Sequence, residues 1–116
     1  MENHIKIYYK AFGYDLNEID KIYVPSEISD TQYNDIHHII SRGKKGADRI
    51  ENLMAVTRQE HVDYGDKILY MVLLLKIHQR HLQIKNIPHN PKFFEYYIEY
   101  YTNLNELKNG EIQTTS

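Results

Sequence analysis

Cysteine is missing from all 116 residues, which excludes disulfides and thiolate zinc sites and leaves His, Asp, Glu and Asn as the side chains able to hold a metal. Long apolar runs are missing too. The longest, Met71 to Leu75, falls far short of the ~20 residues that a bilayer span requires. The opening Met1-Glu-Asn-His carries no basic segment followed by an apolar one, so neither an export signal nor a membrane contact is expected, and a cytoplasmic setting is. An excess of positive charge is also lacking, since the formal net charge is -2. The basic residues are concentrated, however. Between Arg42 and Arg58 five of them (Arg42, Lys44, Lys45, Arg49, Arg58) stand against Asp48 and Glu51. Phosphate binding draws on such a local surplus rather than on the sum.

What remains is the composition of an ordinary globular chain, 41% hydrophobic and 26% charged. The length gives room for one domain spanning residues 1–116. Ile5 to Phe12 has apolar spacings that suit strand or helix, of which a short helix stopped by Gly13 is the preferred reading. Residues 14 to 34 are polar and broken by Pro25, with a short extended piece near Tyr23 and Val24, and are expected to give little core. Tyr33 to Ile40 and Asn52 to Thr57 read as two strands of a hairpin with a long loop built on Ser41-Arg-Gly-Lys-Lys-Gly46. Thr57 with Glu60 three residues on is a capping box opening a helix that Gly65 ends or kinks.

From Lys67 to Ile84 the chain is helix-forming, and apolar on most sides between Ile68 and Ile77, so this helix belongs to the core or to a homodimer contact through 68–77. After Ile87-Pro-His-Asn-Pro91, apolar residues recur at three and four from Phe93 to Leu104, a second amphipathic helix. A frayed tail is expected over 109–116. The class is therefore α+β, a hairpin and helix over about 22–66 with a helical extension over about 67–108.

Three of the seven histidines fall in one stretch with one Asn: Asp35-Ile-His-His-Ile39, the basic loop, then Glu51-Asn-Leu-Met-Ala-Val-Thr-Arg-Gln-Glu-His61. Hydrolysis of a phosphodiester needs a deprotonated water and a cation to neutralise the phosphoryl oxygens. A histidine titrating near ~6.5 and a metal on neutral imidazoles meet both needs at neutral pH. Adjacent strand residues face opposite ways, so His37 and His38 are expected to share one phosphate only if the strand end twists or bulges. His78 and His81 share a helix face but lack a third ligand and read as structural, as do the tyrosines at helical spacing.

The order His37-His38, Asn52 fourteen residues after the second His, and His61 nine residues later resembles the HNH endonuclease motif of the ββα-metal fold. Phe12-Gly-Tyr-Asp15 and Val24-Pro-Ser-Glu-Ile-Ser29 are similar to small phage and bacterial members. Such relatives carry two Cys pairs where this chain has Ser26, Ser29, Thr57 and Glu60. Many also have a further His four residues after the last, where Gly65 stands here. The resemblance implies a DNA endonuclease with His38 as general base, His37 and His61 as metal ligands, Asn52 orienting the site or adding a ligand, and Arg42, Lys44, Lys45, Arg49 and Arg58 on phosphates. A neutral, open site favours Mg²⁺ or Mn²⁺, with Zn²⁺ or Ni²⁺ as the other candidates. The partner implied is DNA, with RNA still open. Nickase-like processing of phage or bacterial DNA is the expected role; the other class is a non-catalytic module binding DNA or a phage packaging or replication protein.

Overall fold

The computed structural model describes residues 1–44 and 46–115, with side chains as far as Asn109. The chain forms α1 (Asn3–Phe12), β1 (Asp35–His38), β2 (Leu53–Val56), α2 (Arg58–Tyr64), α3 (Ile68–Ile84) and α4 (Pro91–Thr115). Short 3₁₀ turns lie at Leu16–Glu18, Arg42–Lys44 and Ile50–Asn52. α1 ends where Gly13 takes a left-handed φ of 78° and its N–H caps the carbonyls of Tyr9 and Lys10. The α+β class holds: an antiparallel hairpin followed by a helix, preceded by one helix and followed by two. α4 runs from Pro91 to Thr115.

β1 and β2 pair from Asp35 opposite Val56 to His38 opposite Leu53 without a bulge. All four residues of β2 are buried, because both faces of this ribbon are covered. Leu53 and Ala55 pack with Ile36, Tyr8 and Tyr9 on the α1 side, whereas Met54 and Val56 pack with Met71, Leu74, Leu75 and Phe94 on the α3–α4 side. A strand buried on both faces shows no polar alternation. The strands are shorter than the sequence predicts, with Asn52 belonging to the turn that precedes β2.

The segment 14–34 contributes more to the interior than its composition suggests. Val24 and Ser26 are fully buried and Glu27 nearly so. Polar side chains can be buried here because each finds a partner. Glu27 accepts a hydrogen bond from Tyr8 (2.8 Å) and faces His78 Nδ1 at 2.8 and 3.0 Å. His78 also donates through Nε2 to the Ile50 carbonyl (2.6 Å), and His81 donates to the Glu27 carbonyl (3.0 Å). The two histidines of α3 thus tie that helix to the segment before β1. Ser26 Oγ donates to Glu60 (2.5 Å) and accepts from the Ile28 and Ser29 amides, while Thr57 and Glu60 complete the capping box of α2. Ser26, Ser29, Thr57 and Glu60 are thus neighbours in one hydrogen-bonded cluster. Burial alone would raise the Glu60 carboxyl, but bonds from Ser26, Ser29 and Thr57 outweigh it and hold it below its usual range.

The loop between the strands is closed by Asn52. Its Oδ1 accepts from the Ile40 amide (2.7 Å), and its Nδ2 donates to the carbonyls of Ile40 (3.0 Å) and Ala47 (3.1 Å). Asn52→Ala would leave buried backbone groups of the loop without partners, each worth about 1–3 kcal/mol. We expect a loss of roughly 2–5 kcal/mol, read as a lowered urea midpoint; an unchanged midpoint would deny Asn52 this structural role.

Candidate active site

β1, the loop after it and the end of α2 border a cleft of about 250 Å³ lined by His37, His38, Ser41, Arg42, His61 and Asp66. His37 and His38 both line it although the ladder is regular, so the expected bulge is not needed. His38 is the last paired residue of a two-stranded ribbon, and such ribbons twist strongly enough for a cleft to wrap their end.

His37 is 4% exposed, and its Nε2 has no hydrogen-bond partner among the described residues. Leaving a buried polar atom unpaired costs about 1–3 kcal/mol. The His61 ring lies beside it, centroids 4.4 Å apart. Burial, and then His61, push the His37 imidazole down to about 4, so it carries a lone pair rather than a charge at neutral pH. His61 Nδ1 faces Asp35 Oδ2 at 3.2 Å. A carboxylate on one ring nitrogen fixes the proton there and leaves the other nitrogen as a donor to a metal. Asp35 is itself gripped by Arg58 at 2.7 and 2.8 Å, whose hydrogen bonds, ahead of burial, hold the carboxyl below its usual range. These features fit a divalent cation between His37 and His61. No group of three or more His, Cys, Asp or Glu among the described residues is arranged to hold one, so water and phosphate oxygens would complete the shell.

His38 is held on the other flank. Its Nε2 lies 2.6 Å from Asp48 Oδ1, and the same carboxylate accepts from Arg42 (3.2 Å) and, through Oδ2, from Asn3 (3.2 Å). The His38 hydrogen bond leads the effects that draw Asp48 down to about 2. An ionised carboxylate at that distance accepts from an N–H, so Asp48 favours the His38 tautomer with its proton on Nε2 and a lone pair on Nδ1. The His4 ring, 4.9 Å away, closes this side.

Gly65 packs directly against the His37–His61 pair. It caps α2 in an extended conformation (φ -66°, ψ 143°), and a Cβ there would lie 2.5 Å from the His61 carbonyl oxygen, 2.7 Å from His61 Cδ2 and 3.2 Å from His37 Cε1. No side chain fits without moving the pair. Gly65→Ala is therefore expected to weaken divalent-cation binding about 10-fold or more, as the loss of a ligand's support does, measured by isothermal titration with Mn²⁺. Wild-type affinity in this variant would mean that the pair does not bind the ion.

Of the basic residues expected on phosphates, Arg42 lines the cleft but is paired with Asp48. Arg58 lines a larger neighbouring cleft of about 590 Å³ and is paired with Asp35. Arg49 turns away, bonded to Glu51 (2.9 Å) and 5.2 Å above the Phe93 ring. Lys44 borders a different groove, and Lys45 lies outside the described residues. Asn52 does not line the cleft, its side chain being engaged within the loop. Asp35, Asp48 and His4 escaped the sequence reading, and Asp66, set aside there because its spacing does not match a histidine four residues after His61, lines the cleft. Strand alternation places Asp35 and His37 on one face and could have found the first. No local pattern relates Asp48 to His38 across the loop, or His4 to either.

Compared with protein-family models, residues 25–67 match the model described as HNH endonuclease. Members of this family act on DNA and generally use a divalent metal. The matched span takes in β1, the loop, β2 and α2. Neither curated proteins nor solved structures gave a match.

Proposed function

We propose, from the premise that residues 25–67 are an HNH endonuclease domain, that this chain is a metal-dependent endonuclease hydrolysing DNA phosphodiester bonds. The observation that carries this reading is the buried, unpartnered Nε2 of His37 beside a His61 oriented by Asp35, with His38 in the same cleft. When bound, a divalent cation supplies neutralisation of the charge that develops on the phosphoryl oxygens. His37 and His61 would hold it.

His38 takes a proton from the attacking water on Nδ1, because Nε2 is committed to Asp48. Asp48 keeps the ring from turning and stabilises the imidazolium once the proton has moved. Arg42 is shared between Asp48 and the cleft, where its charge also faces a bound phosphate. Asn52 acts at one remove by fixing the loop that carries Arg42 and Asp48. A cleft with two ligands leaves room for oxygen ligands, which favours Mg²⁺ or Mn²⁺, while the imidazoles make Zn²⁺ and Ni²⁺ the competitors.

One such cleft per chain cuts one strand, so nicking is the proposed outcome. Pairing of two chains through residues 68–77 of α3, where Leu73 is exposed, would bring two clefts to one duplex. The resemblance of the flanking segments to small phage and bacterial chains supports a role in DNA processing there. Conversion of supercoiled plasmid to open circle, run with Mg²⁺, Mn²⁺, Ni²⁺, Zn²⁺ or EDTA and with an RNA substrate alongside, tests the proposal. Nicking restored by one or more metals and abolished by EDTA is expected. No cleavage with any metal would favour a module that only binds nucleic acid.

A further inference from the structure

Beyond the matched span, α4 returns to the vicinity of the cleft. Asn105 Nδ2 donates to the Ile68 carbonyl (3.1 Å), which pins the far part of α4 to the start of α3. Together with the turn after β1 these elements enclose a groove of about 490 Å³. Its rim carries Lys44, Lys67 and Lys108, and Asn105, Ile68 and Leu69 also line it. Asp66 borders both this groove and the histidine cleft, so one continues into the other.

The lysines of this groove differ in state from the three arginines of the hairpin and α2. Arg42, Arg49 and Arg58 are each held by a carboxylate, at 3.2, 2.9 and 2.7 Å. Lys44, Lys67 and Lys108 are exposed and form no ion pair among the described residues. Counterion release comes from cations that exchange small ions for phosphates, and an arginine already neutralised by a carboxylate contributes less to it. Among the described residues, three lysines from separate parts of the chain thus line this groove without an ion pair, against one acid, Asp66.

We propose that the Lys44–Lys67–Lys108 groove is the track along which the nucleic-acid strand leaves the hydrolytic cleft. The partner is a phosphodiester backbone, with Ile68 and the 71% exposed Leu69 offering an apolar floor to sugar or base. Charge complementarity and continuity with the cleft support that partner; the inference rests on the nuclease reading only for the identity of the strand. It also gives the helical extension a task. α3 and α4 bring Lys67 and Lys108 to a surface that the hairpin and α2 alone do not supply.

The test is binding of a fluorescent oligonucleotide, single-stranded and duplex, followed by anisotropy in EDTA over a range of salt. Lys67→Gln with Lys108→Gln removes two charges, and Lys85→Gln serves as control, since Lys85 lies at the far end of α3, roughly 27 Å from Lys67 at ~1.5 Å per residue. The double variant should lower the slope of log affinity against log salt by about 1.8 for duplex or about 1.4 for single strands, with Kd raised at least about 10-fold at low salt and an unchanged melting temperature. In cleavage assays KM should rise while kcat holds. A wild-type slope in the double variant, or an equal fall in Lys85→Gln, would overturn the track. So would a polyglutamate peptide that binds the wild type more tightly than the oligonucleotide and is lost in the double variant, which would mark an acidic-protein surface. Because binding is read without cleavage, a chain that fails to nick but binds through these lysines loses the nuclease reading and keeps the groove.

Discussion

His38→Ala is expected to lower kcat for plasmid nicking by about 10²- to 10⁴-fold, the range associated with removal of a general base, while leaving KM and Mn²⁺ affinity near wild type. The split follows from geometry. His38 lies in the cleft, but its Nε2 is engaged by Asp48, whereas the unpartnered nitrogen lies on His37. Asp48→Ala should reproduce part of the loss, since the ring would no longer be held with its lone pair on Nδ1. A second-sphere partner of this kind is typically worth about 10- to 100-fold. Equal kcat in wild type and His38→Ala would sink the assignment of the base. A fall in metal affinity as large as the fall in kcat would instead make His38 a ligand.

The largest effect on stability is expected far from the cleft. Glu27→Gln would strand His78, which is fully buried and donates from both ring nitrogens. Burial by itself pushes the His78 imidazole down, yet the Glu27 carboxylate and the Ile50 carbonyl outweigh it and hold it above its ordinary value. Breaking a buried pair by removing one partner costs about 3–5 kcal/mol. A raised folded-state pKa contributes stability that is fully present below about 6.5 and is lost as pH climbs through the folded-state value. The gap between wild type and Glu27→Gln should therefore be widest near pH 6 and should narrow by pH 9. Urea titrations at the two pH values measure it. A gap that is constant, or that widens with pH, would show that His78 is not charged in the folded protein.

How far the chain could be read in advance depended on sequence distance. The hairpin, the capping box at Thr57, the stop at Gly65 and both long helices are written in short-range patterns, and the structure has each of them. His37, His38 and His61 were legible as a group because their spacing carries a resemblance; strand alternation alone would have separated the first two. The segment 14–34 misleads because its polar residues are buried against partners 19 to 51 positions away, as Tyr8, Glu60 and His78 are from Glu27 and Ser26. Asp48, His4 and Lys108 were illegible for the same reason. Each acquires meaning only when the fold brings it beside a residue it does not neighbour in the chain. The basic loop was legible as charge but not as pairing, and pairing decides which of its cations are available.

The cluster of Ser26, Ser29, Thr57 and Glu60 determines how this protein responds to its surroundings. A domain stapled by thiolates unfolds when its zinc is chelated and is open to sulfur oxidation. Hydrogen bonds between hydroxyls, amides and a carboxylate respond to neither. EDTA should leave the melting temperature unchanged, and peroxide should leave the cluster untouched. Such a protein can be made, stored and carried through zinc starvation or an oxidative burst already folded.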